Sequence, residues 1–249
     1  MDASARLKAY VQANPGAIGK VIDLEATDRL LTLDLTAANT ELNAGIVSDT
    51  AKFSVWIDQQ LSKANCRYGI GGFMENRTIY AGIPLFEREA EPRRLHLGVD
   101  IWGDADTPVY APLDGTVHSF NDNANLGDYG PTIILQHNLD GLTLYSLYGH
   151  LSRRNLVGLS IGQPIKRDEL IADLGSADEN GNWPPHLHFQ LMLDMEGMSG
   201  DYPGACRYSE KEKYLKNIAD PGLILNPPEP SVQAHKASPT GRDLEGANE

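Results

Sequence analysis

Apolar and polar positions follow two textures along this chain, and the change between them falls near residue 95. In the first part, apolar residues recur at helical spacing. In SARLKAYVQANPG, Leu7, Tyr10 and Val11 share a helical face and Asn14-Pro15-Gly16 ends the run, so a helix is expected there. RLLTLDLT at 29–36 alternates like a strand. SDTAKFSVWIDQQLSKAN predicts a second helix, with polar N-cap candidates at 48–50 and an apolar stripe of Phe53, Trp56, Ile57 and Leu61 that reads as core. YGIGGF at 68–73 matches neither GxGxxG nor a P-loop and reads as a backbone bend. EREAEPRR at 87–94 reads as a linker or domain edge.

From about residue 95 the chain turns to short alternating runs broken by Gly, Pro, Asn and Asp: TPVYAP, GTVHSF, PTIILQH, LTLYSLYGH, LIADLG and HLHFQLML. Closely spaced short strands of this kind predict a mainly β fold, an antiparallel sandwich or barrel-like domain. A short helix is expected in SEKEKYLKNIA at 209–219. The end of the chain, NPPEPSVQAHKASPTGRDLEGANE, is Pro-rich and polar with little to bury, and is expected as a mobile tail. The resulting division is a smaller α+β region at 1–85, a β domain with a C-terminal extension at 86–226, and a tail at 227–249.

Composition narrows the function classes. The chain has 249 residues, 41% hydrophobic and 22% charged, ordinary for a globular protein. Its formal net charge of −13 argues against nucleic acid as a partner, because phosphate neutralisation needs clustered Lys and Arg. The pairs Arg93-Arg94 and Arg153-Arg154 read as solvated surface. No stretch is apolar enough to span a bilayer, so no membrane partner is expected. The start, MDASARLKAYVQANPG, lacks the pattern of a secretory signal, which makes the cytoplasm the expected location. Cys66 and Cys206 form no CxxC pair and are expected as buried free thiols. Nothing in the pattern indicates an oligomeric state.

Chemistry concentrates in the histidines. Of the seven present, four fall in three short motifs: HLGVD at 96–100, YGHL at 148–151 and HLH at 186–188. On an extended strand His186 and His188 share one face while Leu187 and Phe189 share the other. On a flat strand His96 and Asp100 would stand about 13 Å apart, too far to ligate one metal, but Gly98 between them can supply a bend. In HLH the two imidazoles are near enough for one to bind a metal and the other to act beside it. Two His and one Asp make an ordinary catalytic zinc set when a fourth position is left to water, whose pKa the metal lowers to about 7.

These residues resemble the lysostaphin-type zinc endopeptidases, a family that includes peptidoglycan-cleaving enzymes. The family pattern is HxxxD, then a YxHL-like segment, then HxH, within a β-sandwich domain. His96/Asp100, Tyr148-Gly149-His150-Leu151 and His186/His188 stand in that order here. DTPVYAPLDGTV is similar to the family's TPVxAxxDGxV hairpin, and PPHLHFQL to its GPHLHFEL. The resemblance covers roughly residues 95–195. It implies one zinc ion per chain, held by His96, Asp100 and His188. His150 and His186 would orient and deprotonate the attacking water and stabilise the tetrahedral intermediate. It also implies a metalloendopeptidase with a peptide or muropeptide substrate.

The alternative is a non-catalytic zinc-containing domain, or a phosphoryl carrier using His150 and His186 as a facing pair. Outside the motifs, His118, His137, Tyr148, Asp114 and Asp128 read as structural, and His235 falls in the tail. Departures from the family pattern are Gln190, where many members carry Glu, and Trp183 with two prolines ahead of HLH. NDNANLGDYG at 121–130 is a long hairpin connection of the kind that borders sites. GGFMENR reads as a surface loop, or as a cover over the site entrance through Glu75, Asn76 or Arg77.

Overall fold

The computed structural model describes residues 2–225, apart from positions 15, 26 and 88. The tail expected at 227–249, with His235, lies outside the described residues. The first helix, α1 (Ala3–Ala13), starts where the Asp2 carboxylate accepts from the Ala5 N–H, and buries Ala3, Leu7 and Val11. It is followed by strand β1 (Leu30–Thr32) and the short helix α2 (Ala44–Val47). Helix α3 (Thr50–Ala64) is capped by Asp49, which accepts from the Lys52 N–H, and ends at Asn65 in the left-handed conformation. Its buried face is Phe53, Trp56 and Ile57, and the Trp56 indole donates to Glu41 at 3.0 Å.

YGIGGF is not a bend. It opens with strand β2 (Tyr68–Gly71), which lies parallel to β1. Its glycines serve close approach: a Cβ on Gly69 would meet the Leu33 side chain at 2.6 Å, and one on Gly71 would meet Arg77 Nη2 at 2.5 Å. The expected linker at 87–94 holds only the end of a single helical turn, α4 (Pro84–Glu87).

The β-rich part begins with β3 (Leu95–His96) and β4 (Val99–Trp102), separated at Leu97-Gly98. Then come β5 (Pro108–Tyr110), β6 (Gly115–Asn123), β7 (Gly130–Leu139) and β8 (Leu142–Gly149). Further along are β9 (Pro164–Ile165), β10 (Leu170–Asp173) and β11 (His186–Met192). The chain closes with β12 (Ala205–Cys206), a single helical turn α5 (Lys211–Tyr214), β13 (Ile218–Ala219) and α6 (Gly222–Leu225). The helix expected across 209–219 is therefore cut short, because Ile218 and Ala219 pair with Met192 and Leu191.

The fold is mainly β, built on one nine-stranded mixed sheet ordered β1-β2-β4-β11-β8-β7-β6-β9, with β13 also on β11. Among the described residues only β1 and β2 run parallel, the other pairings are antiparallel, and no closed barrel forms. The β5–β10 ribbon and α1 help close one face around Val99, Ile101, Leu187 and Phe189. Against the other face, α3 and Leu35 pack beside Trp102 and Trp183. Strands from both sides of residue 85 thus share one sheet. Cys206 is buried and Cys66 half-buried, both as free thiols; Cys66 is less covered than expected because it follows the C-cap of α3.

Candidate active site

Strand β11 lies in the middle of the sheet, and its alternation sorts the chemistry. Leu187 and Phe189 enter the apolar core, while His186, His188 and Gln190 turn to the other face. Register places His188 beside Asp100 of β4 and Gly149 of β8, and His186 beside Trp102. The break at Gly98 folds His96 back toward Asp100, so that His96 Nε2 lies 3.2 Å from Asp100 Oδ1. Gly98 also admits the neighbouring strand: a Cβ there would meet Phe189 O at 2.7 Å and the His188 ring at 2.8 Å.

Three atoms converge. His96 Nε2 and His188 Nδ1 are 2.9 Å apart, and His188 Nδ1 is 3.1 Å from Asp100 Oδ1. The far side of each ring settles the tautomer. His96 Nδ1 faces the Gly72 carbonyl at 3.1 Å and can only donate to it. His188 Nε2 faces Gln190 Oε1 at 3.0 Å, and Gln190 is oriented by its own amide N–H to Pro203 O. The converging atoms are therefore two ring lone pairs and a carboxylate oxygen, all buried, with no proton to share among them. Such a set is mutually repulsive unless a cation lies at its centre, and neutral nitrogen plus anionic oxygen suits zinc. The residues fit the metal.

His150 and His186 stand beside this trio. Their ring centroids are 4.1 Å apart, and each Nδ1–H donates to a carbonyl, of Asn180 and Pro184 respectively, at 2.8 Å. Each therefore presents Nε2 as an acceptor, and His186 Nε2 is 3.9 Å from Asp100 Oδ2. Trp102 stacks on His186 at 4.1 Å and fixes its plane. His150 has φ of 63°, a left-handed conformation uncommon outside glycine, held by backbone bonds from its N–H to Tyr129 O and from Gly175 N to its carbonyl. Burial pushes the imidazoles down, His96 to about 3, His186 to about 4 and His150 well below its usual range, so all are neutral. Burial works to raise Asp100, but the Arg77 charge and the neighbouring histidines hold it well below the usual carboxylate range. The five residues line or adjoin a cavity of about 310 Å³ whose walls include Tyr80, Phe86, Tyr129 and Trp183.

The remaining sequence candidates separate cleanly. Asp128 caps a turn, accepting from the Tyr129 N–H, yet also borders the cavity, as the long 121–130 connection suggested. Asp114 accepts from the Arg167 N–H in a turn. His118 meets Ser119, and His137 and Tyr148 meet Ser146 inside the sheet, away from the cavity. Tyr148 is wholly buried, as a structural residue. Of the GGFMENR segment, Arg77 is neither in a surface loop nor set to meet substrate: it is 0% exposed and its guanidinium rests on Asp100 Oδ2. Asn76 pairs with Leu95. Trp102, Tyr80 and Tyr129 were not singled out for the site; for Trp102 the signal was available, since it stands two residues after Asp100 on the same strand face.

Residues 94–199 match the model of peptidase family M23. A Haemophilus influenzae protein described as an uncharacterized metalloprotease is 31% identical over 140 residues, 54% of this chain and 27% of that protein. A lipoprotein NlpD/LppB homolog of Pseudomonas aeruginosa is 37% identical over 107 residues, 43% of this chain and 32% of that one. The chain thus spans about a third or less of the length of these curated relatives. Among solved structures, the catalytic domain of the antimicrobial peptidase lysostaphin from Staphylococcus simulans matches with 24% identity and a TM-score of 0.39, over 64% of this chain and 97% of that one. His96, Asp100, His150, His186 and His188 all lie inside the segment, residues 94–199, that matches the model of peptidase family M23.

Proposed function

We propose that the chain is a metalloendopeptidase that hydrolyses an amide bond, with zinc held by His96, Asp100 and His188 and with peptidoglycan cross-links or their fragments as substrate. The observation that carries this reading is the convergence of three protonless donor atoms beside two further neutral imidazoles in one cavity. A divalent cation there supplies Lewis acidity and makes water nucleophilic at neutral pH. His150 and His186 supply the proton transfers, because each has its Nε2 free as an acceptor and its Nδ1–H anchored on a carbonyl. The water proton passes to one of these nitrogens as the C–O bond forms. The imidazolium so made steadies the oxyanion and returns the proton to the leaving amine as the C–N bond breaks. Tyr80, Phe86 and Trp183 give the cavity an aromatic wall beside these polar groups, a surface on which the substrate's apolar parts can rest. Asp100 Oδ2, 3.9 Å from His186 Nε2, counts against a phosphoryl carrier, since the two negative groups would repel.

The test is metal content by elemental mass spectrometry beside a muropeptide digest, on the wild type and His188→Ala. About one zinc per chain and new fragments from the wild type, both lost in the variant, are expected. A metal-free wild type that takes up no added zinc and cleaves nothing would sink the proposal.

A further inference from the structure

The metal-ligating Asp100 has a partner from the part of the chain outside the family match. Arg77 is fully buried and makes three polar contacts: Nη1 to Asp100 Oδ2, Nη1 to the Tyr80 hydroxyl at 3.1 Å, and Nε to Glu75 Oε2 at 2.9 Å. Glu75 is itself fixed, accepting the Leu35 N–H through Oε1 at 3.2 Å. The space for the guanidinium is made by Gly71, the residue registered opposite Asp100 on β2, where a Cβ would meet Arg77 Nη2 at 2.5 Å. Burying a guanidinium is costly unless it is paired, and here Glu75, Tyr80 and the space left by Gly71 hold the Arg77 guanidinium, which in turn meets one carboxylate oxygen of Asp100.

We infer that Arg77 is a positioning residue of the metal centre: it occupies Asp100 Oδ2, so that Asp100 can ligate only through Oδ1. This inference rests on the metal-site reading above. A carboxylate free at both oxygens can chelate a cation and fill the position a catalytic site leaves to water. Arg77 removes that option. It also places a fixed positive charge beside the cation, which weakens binding and leaves the bound ion more electron-poor. The arrangement thus favours turnover over affinity, and it is supplied by the segment preceding the family domain.

Cobalt(II) substitution reads the ligand count directly, because four-coordinate cobalt absorbs visible light more strongly than higher-coordinate cobalt. The variants are Arg77→Met, which keeps the side-chain stem, and Glu75→Gln/Arg77→Met, which also removes the Glu75 charge that Arg77 pairs with. Gly71→Ala displaces the guanidinium without deleting it, and Arg77→Lys serves as the conservative rescue. Loss of the Arg77 contact is expected to lower the visible cobalt absorption and to tighten metal binding about tenfold by chelator competition, the effect of one lost positive charge near a cation. Peptide turnover is expected to fall about 10- to 100-fold, and Arg77→Lys to recover part of each. A residue with only a structural role would loosen the metal instead. Cobalt uptake with the wild-type spectrum and affinity in both Arg77→Met and Gly71→Ala overturns the role of Arg77 and leaves the peptidase reading standing. A wild type that takes up no cobalt overturns both.

Discussion

At His150 the backbone carries a left-handed conformation that residues other than glycine adopt only occasionally. With φ of 63°, a non-glycine residue stores strain on the order of 1 kcal/mol, and the reward is an imidazole turned out of the end of β8 toward His186. The choice of substitution should respect that backbone. Asn tolerates the left-handed region better than Ala and cannot act as a base. His150→Asn is therefore expected to bind metal at the wild-type stoichiometry and to lose about 10²- to 10⁴-fold in turnover, measured by elemental analysis and a continuous peptide assay on one preparation. Loss of metal in this variant would instead make His150 part of the ligand set. The meeting of His96, Asp100, His150, His186 and His188 in one place was legible in the sequence because three ordered motifs carry them. Arg77 was not, because nothing in GGFMENR tells a buried cation from an exposed one. Its burial depends on Gly71, Glu75 and Asp100 meeting in space.

Among the elements, the strands after residue 95 could be read from alternation, and β2 could not. Three glycines within YGIGGF suggest bending; what they provide is clearance for Leu33 and Arg77, which only the paired fold reveals. The β7–β8 pair shows the opposite case, a histidine that is structural and still leaves a measurable trace. His137 donates through Nδ1 to Asp114 O at 2.9 Å, and its Nε2 lies 2.7 Å from Ser146 Oγ, which is 3.0 Å from the Tyr148 hydroxyl. Burial pushes this imidazole down from 6.5 to about 4. Between those two pH values the unfolded chain binds a proton at His137 that the folded chain refuses. The contribution to stability is thus complete above about pH 6.5 and is lost as pH falls toward 4, at most about 3 kcal/mol. In metal-free protein, melts at pH 7 and pH 4.5 should show a smaller acid loss for His137→Gln than for the wild type. Parallel losses would mean that His137 is already charged in the fold.

Over the whole molecule, the segment before residue 86 is joined to the β domain by the groups that normally decide stability. Leu7 and Val11 of α1 lie in the same core as Leu187 and Phe189. Phe53 of α3 sits 5.5 Å from the Trp102 ring that supports His186, and β2 covers the edge of β4 opposite Ile101 and Asp100. Burying Leu7, Val11 and Phe53 is worth roughly 2 kcal/mol each, which together is comparable to the net stability of about 5–15 kcal/mol of a whole domain. Removing residues 1–85 would also leave the β4 edge unpaired and Asp100 without Arg77. The fragment 86–225 is therefore expected to lose its single cooperative unfolding transition and to aggregate through the bared edge. Circular dichroism melts and light scattering, run beside the full chain, measure this. A fragment that melts cooperatively and binds metal with the full chain's affinity would show that the β domain stands alone and that the first 85 residues merely rest on it.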